Sequence, residues 1–71
     1  MNGNQEKARS KIALIIDDSD INRDILSIYL KELNYQIVTA KDGEEGYFRF
    51  QSFRPNIVLL DIVIFPVIPS R

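Results

Sequence analysis

Residues 12–20 read Ile12-Ala13-Leu14-Ile15-Ile16-Asp17-Asp18-Ser19-Asp20. Five apolar residues in a row, without polar alternation, suit a strand covered on both faces, as a central strand of a parallel sheet is. A polar break follows, in which Ser19 or Asp20 can cap a helix. That helix is expected to run to about Leu33, with Ile21, Ile25, Tyr29 and Leu33 at i, i+4 spacing and Leu26 and Leu30 beside them. Asn34, which tolerates the left-handed conformation, is the expected stop.

Outward from this segment the alternation continues. Tyr35 to Ala40 reads as a second strand, made more polar by Gln36 and Thr39, as an edge strand would be. Asp42-Gly43-Glu44-Glu45 has the spacing of a capping box in its Asp form and starts a second helix to about Phe53. Gly46 inside that helix costs about 1 kcal/mol relative to Ala, so Tyr47, Phe48, Phe50 and Phe53 are expected to hold it down, with some of them left exposed. Arg54-Pro55 ends it, and Asn56 to Leu60 is the third strand, closed by Asp61. The resulting β-α-β-α-β series argues an α/β fold with a parallel sheet. Right-handed crossovers, with the most apolar strand central and the most polar outside, predict strand order 2-1-3. The two helices then cover opposite faces, and the topological switch point lies at the carboxyl ends of strands one and three.

Composition narrows the function. A chain of 71 residues is one domain at most, and one this short buries only about 60% of its unfolded surface. It holds no Cys and no His, which excludes disulfides, thiolate or imidazole metal sites, a Ser-His triad and a His phospho-carrier within the chain. Net charge is −1 with no basic stripe, so nucleic acid is not expected as a partner. Neither a signal-peptide pattern nor an apolar run able to span a bilayer is present, so a cytoplasmic protein without membrane association is expected.

Asp17, Asp18 and Asp61 fall at the ends of the strands that flank the predicted switch point. Carboxylates brought that close repel one another, and a hard divalent cation such as Mg²⁺ resolves the conflict with carboxylate oxygens, water and phosphate. Such a site suits phosphoryl chemistry, in which a carboxylate acts as the nucleophile. The plainer alternative is that strand ends are acidic because they lie beside solvent and helix N-termini.

Residues 12–62, with the apolar strand ending in Asp17-Asp18, the segment Thr39-Ala40-Lys41-Asp42-Gly43-Glu44-Glu45, and Arg54-Pro55-Asn56 before the apolar run ending in Asp61, resemble the first half of a response regulator receiver domain of two-component signalling. The resemblance implies a partial flavodoxin-like fold. It implies Asp61 as phosphoacceptor for a histidine kinase or phosphotransfer protein, Asp18 as a direct Mg²⁺ ligand, Asp17 as a ligand through water, and the backbone carbonyl of Val63 completing the metal shell. The expected organisation is a flexible leader (1–10), a truncated receiver (11–62) and an atypical apolar tail (63–71). The family carries five strands, with a Ser or Thr after the fourth and a Lys after the fifth, for which this chain has no counterpart. Its Pro66 stands five positions after Asp61, where the family places a Pro at four.

Three functions follow as expectations. The first is a receiver that accepts phosphate and is not an enzyme in its own right. The second is an interaction module that pairs with a kinase or receiver through an open third strand, the same edge that would make homo-oligomers. The third, an Asp-dependent phosphohydrolase, ranks last because such enzymes place a second Asp two residues after the first, where this chain has Val63.

Overall fold

The computed structural model describes residues 11–61 and 63–68. The leader, Ile62 and the last three residues of the tail lie outside the described residues. The elements follow in the order β1 (Ile12–Ile16), α1 (Asp20–Glu32), β2 (Gln36–Ala40), α2 (Gly43–Phe53), β3 (Ile57–Leu60) and β4 (Val63–Pro66). They form one sheet in the order β2-β1-β3-β4. β1 is central and pairs in parallel with β2, from Ile12 with Gln36 to Ile16 with Ala40, and with β3, from Ala13 with Ile57 to Ile16 with Leu60. Its apolar run is buried as expected, with Leu14 and Ile15 fully enclosed. Burying each such side chain contributes about 1.5–3 kcal/mol.

The helices start and stop where their side chains dictate. The Ser19 hydroxyl caps α1 by accepting from the Asn22 N–H, and Asn34 leaves the helix in the left-handed region at φ 71°. Asp42 caps α2 by accepting from the Glu45 N–H at 2.8 Å. Arg54 ends it with φ 51°. α1 supplies Leu30 and Leu26 to a core of Ala13, Ile15 and Leu59, joined by Tyr35, Ile37 and Ile57. These sheet residues are at odd positions of β1, so α1 covers one face, while α2 meets Ile16, on the other face, through Gly46. Both helices lie over β1 and β2.

Three expectations are corrected. On α1, Ile21, Ile25, Tyr29 and Leu33 are exposed, Tyr29 at 70%. The apolar arc of this helix is wider than the contact the sheet offers, and the Leu26–Leu30 stripe takes it. On α2 the four aromatics are also exposed. The helix is seated by Gly46, which lets its backbone approach β1. Finally, β3 is not an open edge. Residues 63–66, expected as an atypical tail, form β4 and pair antiparallel with β3, from Leu60 with Val63 to Ile57 with Pro66. An unpaired edge is a template for any apolar segment that can reach it. The tail reaches it because Asp61 adopts φ 55°, which permits reversal within two residues.

The β3–β4 ladder has a definite phase. The Val67 N–H donates to the Asn56 carbonyl at 2.8 Å, so residues 56 and 67 form a hydrogen-bonded pair. Such pairs alternate along an antiparallel ladder, so Val58–Phe65 and Leu60–Val63 are also bonded, while Ile64 and Pro66 direct their backbone groups away from β3. Pro66 thus sits where its missing N–H is not needed.

Candidate functional site at the carboxyl ends of the strands

Ile16 and Leu60 are register partners. Asp17 and Asp61 therefore leave neighbouring strands at the same level, and adjacent strands lie about 4.8 Å apart. The Asp17 N–H donates to the Ala40 carbonyl at 3.0 Å, which holds the end of β1 against β2. The register brings these positions to one end of the sheet, as the strand order required.

The side chains then part. Asp17 is only 9% exposed, and both its carboxylate oxygens accept bonds from its own loop. Oδ1 takes the Ser19 N–H at 2.9 Å, and Oδ2 takes Nδ2 of Asn22 at 3.3 Å. Asp18 and Asp61 are exposed. From Asp61 the chain turns away from β1, because β4 lies on the far side of β3. Both backbone groups of Val63 belong to the β3–β4 ladder, by its phase. Among the described residues no three acidic side chains gather closely enough to hold a metal ion. The carboxylates expected to hold Mg²⁺ do not gather into such a group among the described residues.

Sequence reasoning missed three residues that secure the ends of the strands. Asn22 binds Asp17 from the first turn of α1. Arg23 donates through Nη1 to the Asp17 carbonyl and pairs through Nη2 with Asp20, tying the β1–α1 loop down. Both stand one helical turn beyond the cap, a spacing that could have flagged them. At the opposite end, Asn56 accepts the Ile12 N–H on Oδ1 at 2.8 Å and donates its own N–H to the Ile12 carbonyl at 2.7 Å, setting the β1–β3 register. A depression of ≈ 390 Å³ is lined by Lys41, Asp42, Glu44, Glu45 and Phe48, at the β2–α2 turn and the start of α2, and Asp61 does not line it. Its Asp42 and Glu45 are committed to capping α2.

A mostly parallel α/β sheet with the order β2-β1-β3 belongs to the open α/β folds, which bind ligands at the carboxyl ends of their strands. Comparison with known proteins resolves the class. The model of the response regulator receiver domain matches residues 13–66, and the chain belongs to that family. It is 43% identical over 54 residues to the "Probable transcriptional regulator ycf27" of Cyanophora paradoxa, covering 76% of this chain and 23% of that protein. It is 38% identical over 58 residues to the protein of the same name from Galdieria sulphuraria, covering 82% and 22%. It is 29% identical over 55 residues to the "Alkaline phosphatase synthesis transcriptional regulatory protein PhoP" of Bacillus subtilis, covering 78% and 23%. The chain thus spans less than a quarter of the length of these relatives. No solved structure matches it significantly. No helix among the described residues is long and apolar enough to cross a membrane.

Proposed function

We propose that the chain acts as a cytoplasmic receiver module of a two-component phosphorelay, with Asp61 as its phosphoacceptor. The observation that carries this is the pairing of Ile16 with Leu60, which sets Asp61 beside the Asp17-Asp18 strand end within the family frame. Asp61 is exposed at the sheet end, where a phosphorylated imidazole of a histidine kinase or phosphotransfer protein can reach it. In the transfer the N–P bond of the donor breaks and one Asp61 carboxylate oxygen forms the new O–P bond. Asp17, already bonded within its loop, keeps the β1–α1 connection in place and is not the acceptor.

Incubation of the intact chain with a small phosphodonor and Mg²⁺, followed by intact-mass measurement, tests this. A mass gain of one phosphoryl group that Asp61→Asn abolishes is expected. An unchanged mass, or a gain that persists in Asp61→Asn, removes Asp61 as acceptor.

A second role is favoured by the exposed β4. An interaction module would pair with a kinase or another receiver through the outer edge of β4, the edge that β3 was expected to supply. Partner capture by Asp61→Asn at wild-type affinity, without phosphorylation, would select it.

A further inference from the structure

Among the described elements, β4 is held by its ladder with β3 and touches no other strand or helix. Val63, Ile64 and Phe65 are exposed, Val63 at 52% and Ile64 at 58%, so little apolar burial opposes its release. The link between the two strands is short. Leu60 and Val63 are register partners, so residues 61 and 62 alone make the turn. Asp61 bends there with φ 55°, a region that most residues avoid and that Asp tolerates at some cost. A short strained hinge, leading to a strand held by one neighbour, favours exchange of that strand between copies. The strand also lacks the usual guard. Val63-Ile64-Phe65-Pro66 carries no charge, and charge is a common device that keeps edge strands from pairing with other chains.

We infer that two copies of the chain exchange β4, each laying its Val63–Pro66 segment on β3 of the other. In the exchanged dimer Asp61 is extended, and β3 and β4 run on as one strand. The antiparallel register of the hairpin then forms between chains instead of within one. Its ladder bonds are kept, and two strained turns are removed. The register sets the two-fold axis midway between residues 61 and 62. Opposite residues share a face and successive residues alternate, so the two Asp61 carboxylates stand on opposite faces of the shared ladder and do not oppose closure. The occupant is a second copy because the segment and the edge it fits are already matched in this chain. Opposing the exchange is the tether itself, which keeps β4 near its own β3 at an effective concentration on the order of 1 mM. Dimer formation therefore rises with protein concentration. The inference is independent of the phosphoacceptor reading of Asp61.

A disulfide across the ladder reports which chain supplies β4. Val58 and Phe65 are register partners, at a backbone separation of about 5.5 Å for a hydrogen-bonded pair, which suits a disulfide. The chain has no Cys of its own. Val58→Cys/Phe65→Cys is refolded over a range of concentrations, oxidised and separated under denaturing conditions without reductant. A β4 folded on its own β3 gives a crosslinked monomer, whereas an exchanged β4 gives a covalent dimer. The covalent dimer is expected to grow with refolding concentration. Asp61→Thr, β-branched and averse to positive φ, should reach the half-dimer point at about tenfold lower concentration. Asp61→Gly, at ease in the turn, should need about tenfold more. Both variants remove the same charge, so charge does not explain opposite shifts. Phe65→Cys alone measures collisional crosslinking. Crosslinked monomer alone at every concentration overturns the inference, as does a dimer yield equal to that of Phe65→Cys alone or unaffected by either Asp61 variant. Should Asp61→Thr fail to fold, the comparison of wild type with Asp61→Gly decides.

Discussion

Gly46 is the residue on which α2 is seated. A Cβ at this position would stand 2.5 Å from Cδ1 of Ile16 and 2.9 Å from its Cγ1, closer than carbon atoms approach. The helix forgoes about 1 kcal/mol of propensity here to bring its backbone onto β1. Gly46→Ala recovers that propensity and adds an overpacking strain of about 1–3 kcal/mol, so a net loss of about 1 kcal/mol is expected in urea unfolding. Ile16→Val deletes the nearest clashing carbon and leaves the Cγ1 contact, and in that background Gly46→Ala should cost less than in wild type, a coupling of about 1 kcal/mol. Strictly additive effects would show that the Ile16 contact is not what keeps this position bare. Sequence alone registered Gly46 only as a helix weakness, because the close approach is made by a residue thirty positions earlier on another element.

At the scale of the element, the caps were legible and their full wiring was not. Asp42 and Glu45 were recognisable as a capping pair from spacing alone, and Asp42 does accept from the Glu45 N–H. Glu45 reaches one residue further back than the usual box, accepting the Lys41 N–H at 3.0 Å on Oε1, while Oε2 accepts from Arg49 at 3.0 Å. The Lys41 N–H first, and the Arg49 guanidinium after it, hold the Glu45 carboxyl below its ordinary value. A carboxyl with a depressed folded-state pKa contributes stability that is full above its unfolded value and is lost as pH falls through the folded one. The Lys41 amide resonance is therefore expected to titrate with a midpoint below the usual glutamate range, and Glu45→Gln should erase that step. A midpoint at the ordinary value would mean that the cap is not formed in solution. The strands show the same division. β1 was identifiable because burial on both faces demands an unbroken apolar run, whereas β4 was not, because Val63-Ile64-Phe65-Pro66 becomes a strand only when the β3 edge lies within reach of a left-handed Asp61.

At the scale of the molecule, both helices lie over β1 and β2, leaving the β3–β4 half of the sheet thinly covered. Leu60, Val63, Ile64, Phe65 and Ile68 are exposed there. Exposed apolar side chains on and beside an edge strand favour association. Weight-average mass by sedimentation equilibrium is expected to rise with concentration, and Ile64→Lys, which puts a charge on the edge strand, should lower it. A monomer at all concentrations in wild type would mean that the edge is self-limiting. Pro66 already restricts it, since the outer edge of β4 offers no N–H at that position.

Local sequence was enough for the α/β class, the three parallel strands and their order, the helix caps, and the placement of Asp17 and Asp61 at adjoining strand ends. Each of these follows from local periodicity, turn chemistry and the handedness of crossovers, which neighbouring residues encode. Packing across the fold was needed to select which arc of α1 faces the sheet, to seat α2 on Gly46, to secure the Asp17 loop through Asn22 and Arg23, and to fold the chain after Asp61 back as β4. Those outcomes depend on which surfaces meet across the fold, and a carboxylate at a strand end does not reveal, from sequence, whether the next residues will free it or turn it away.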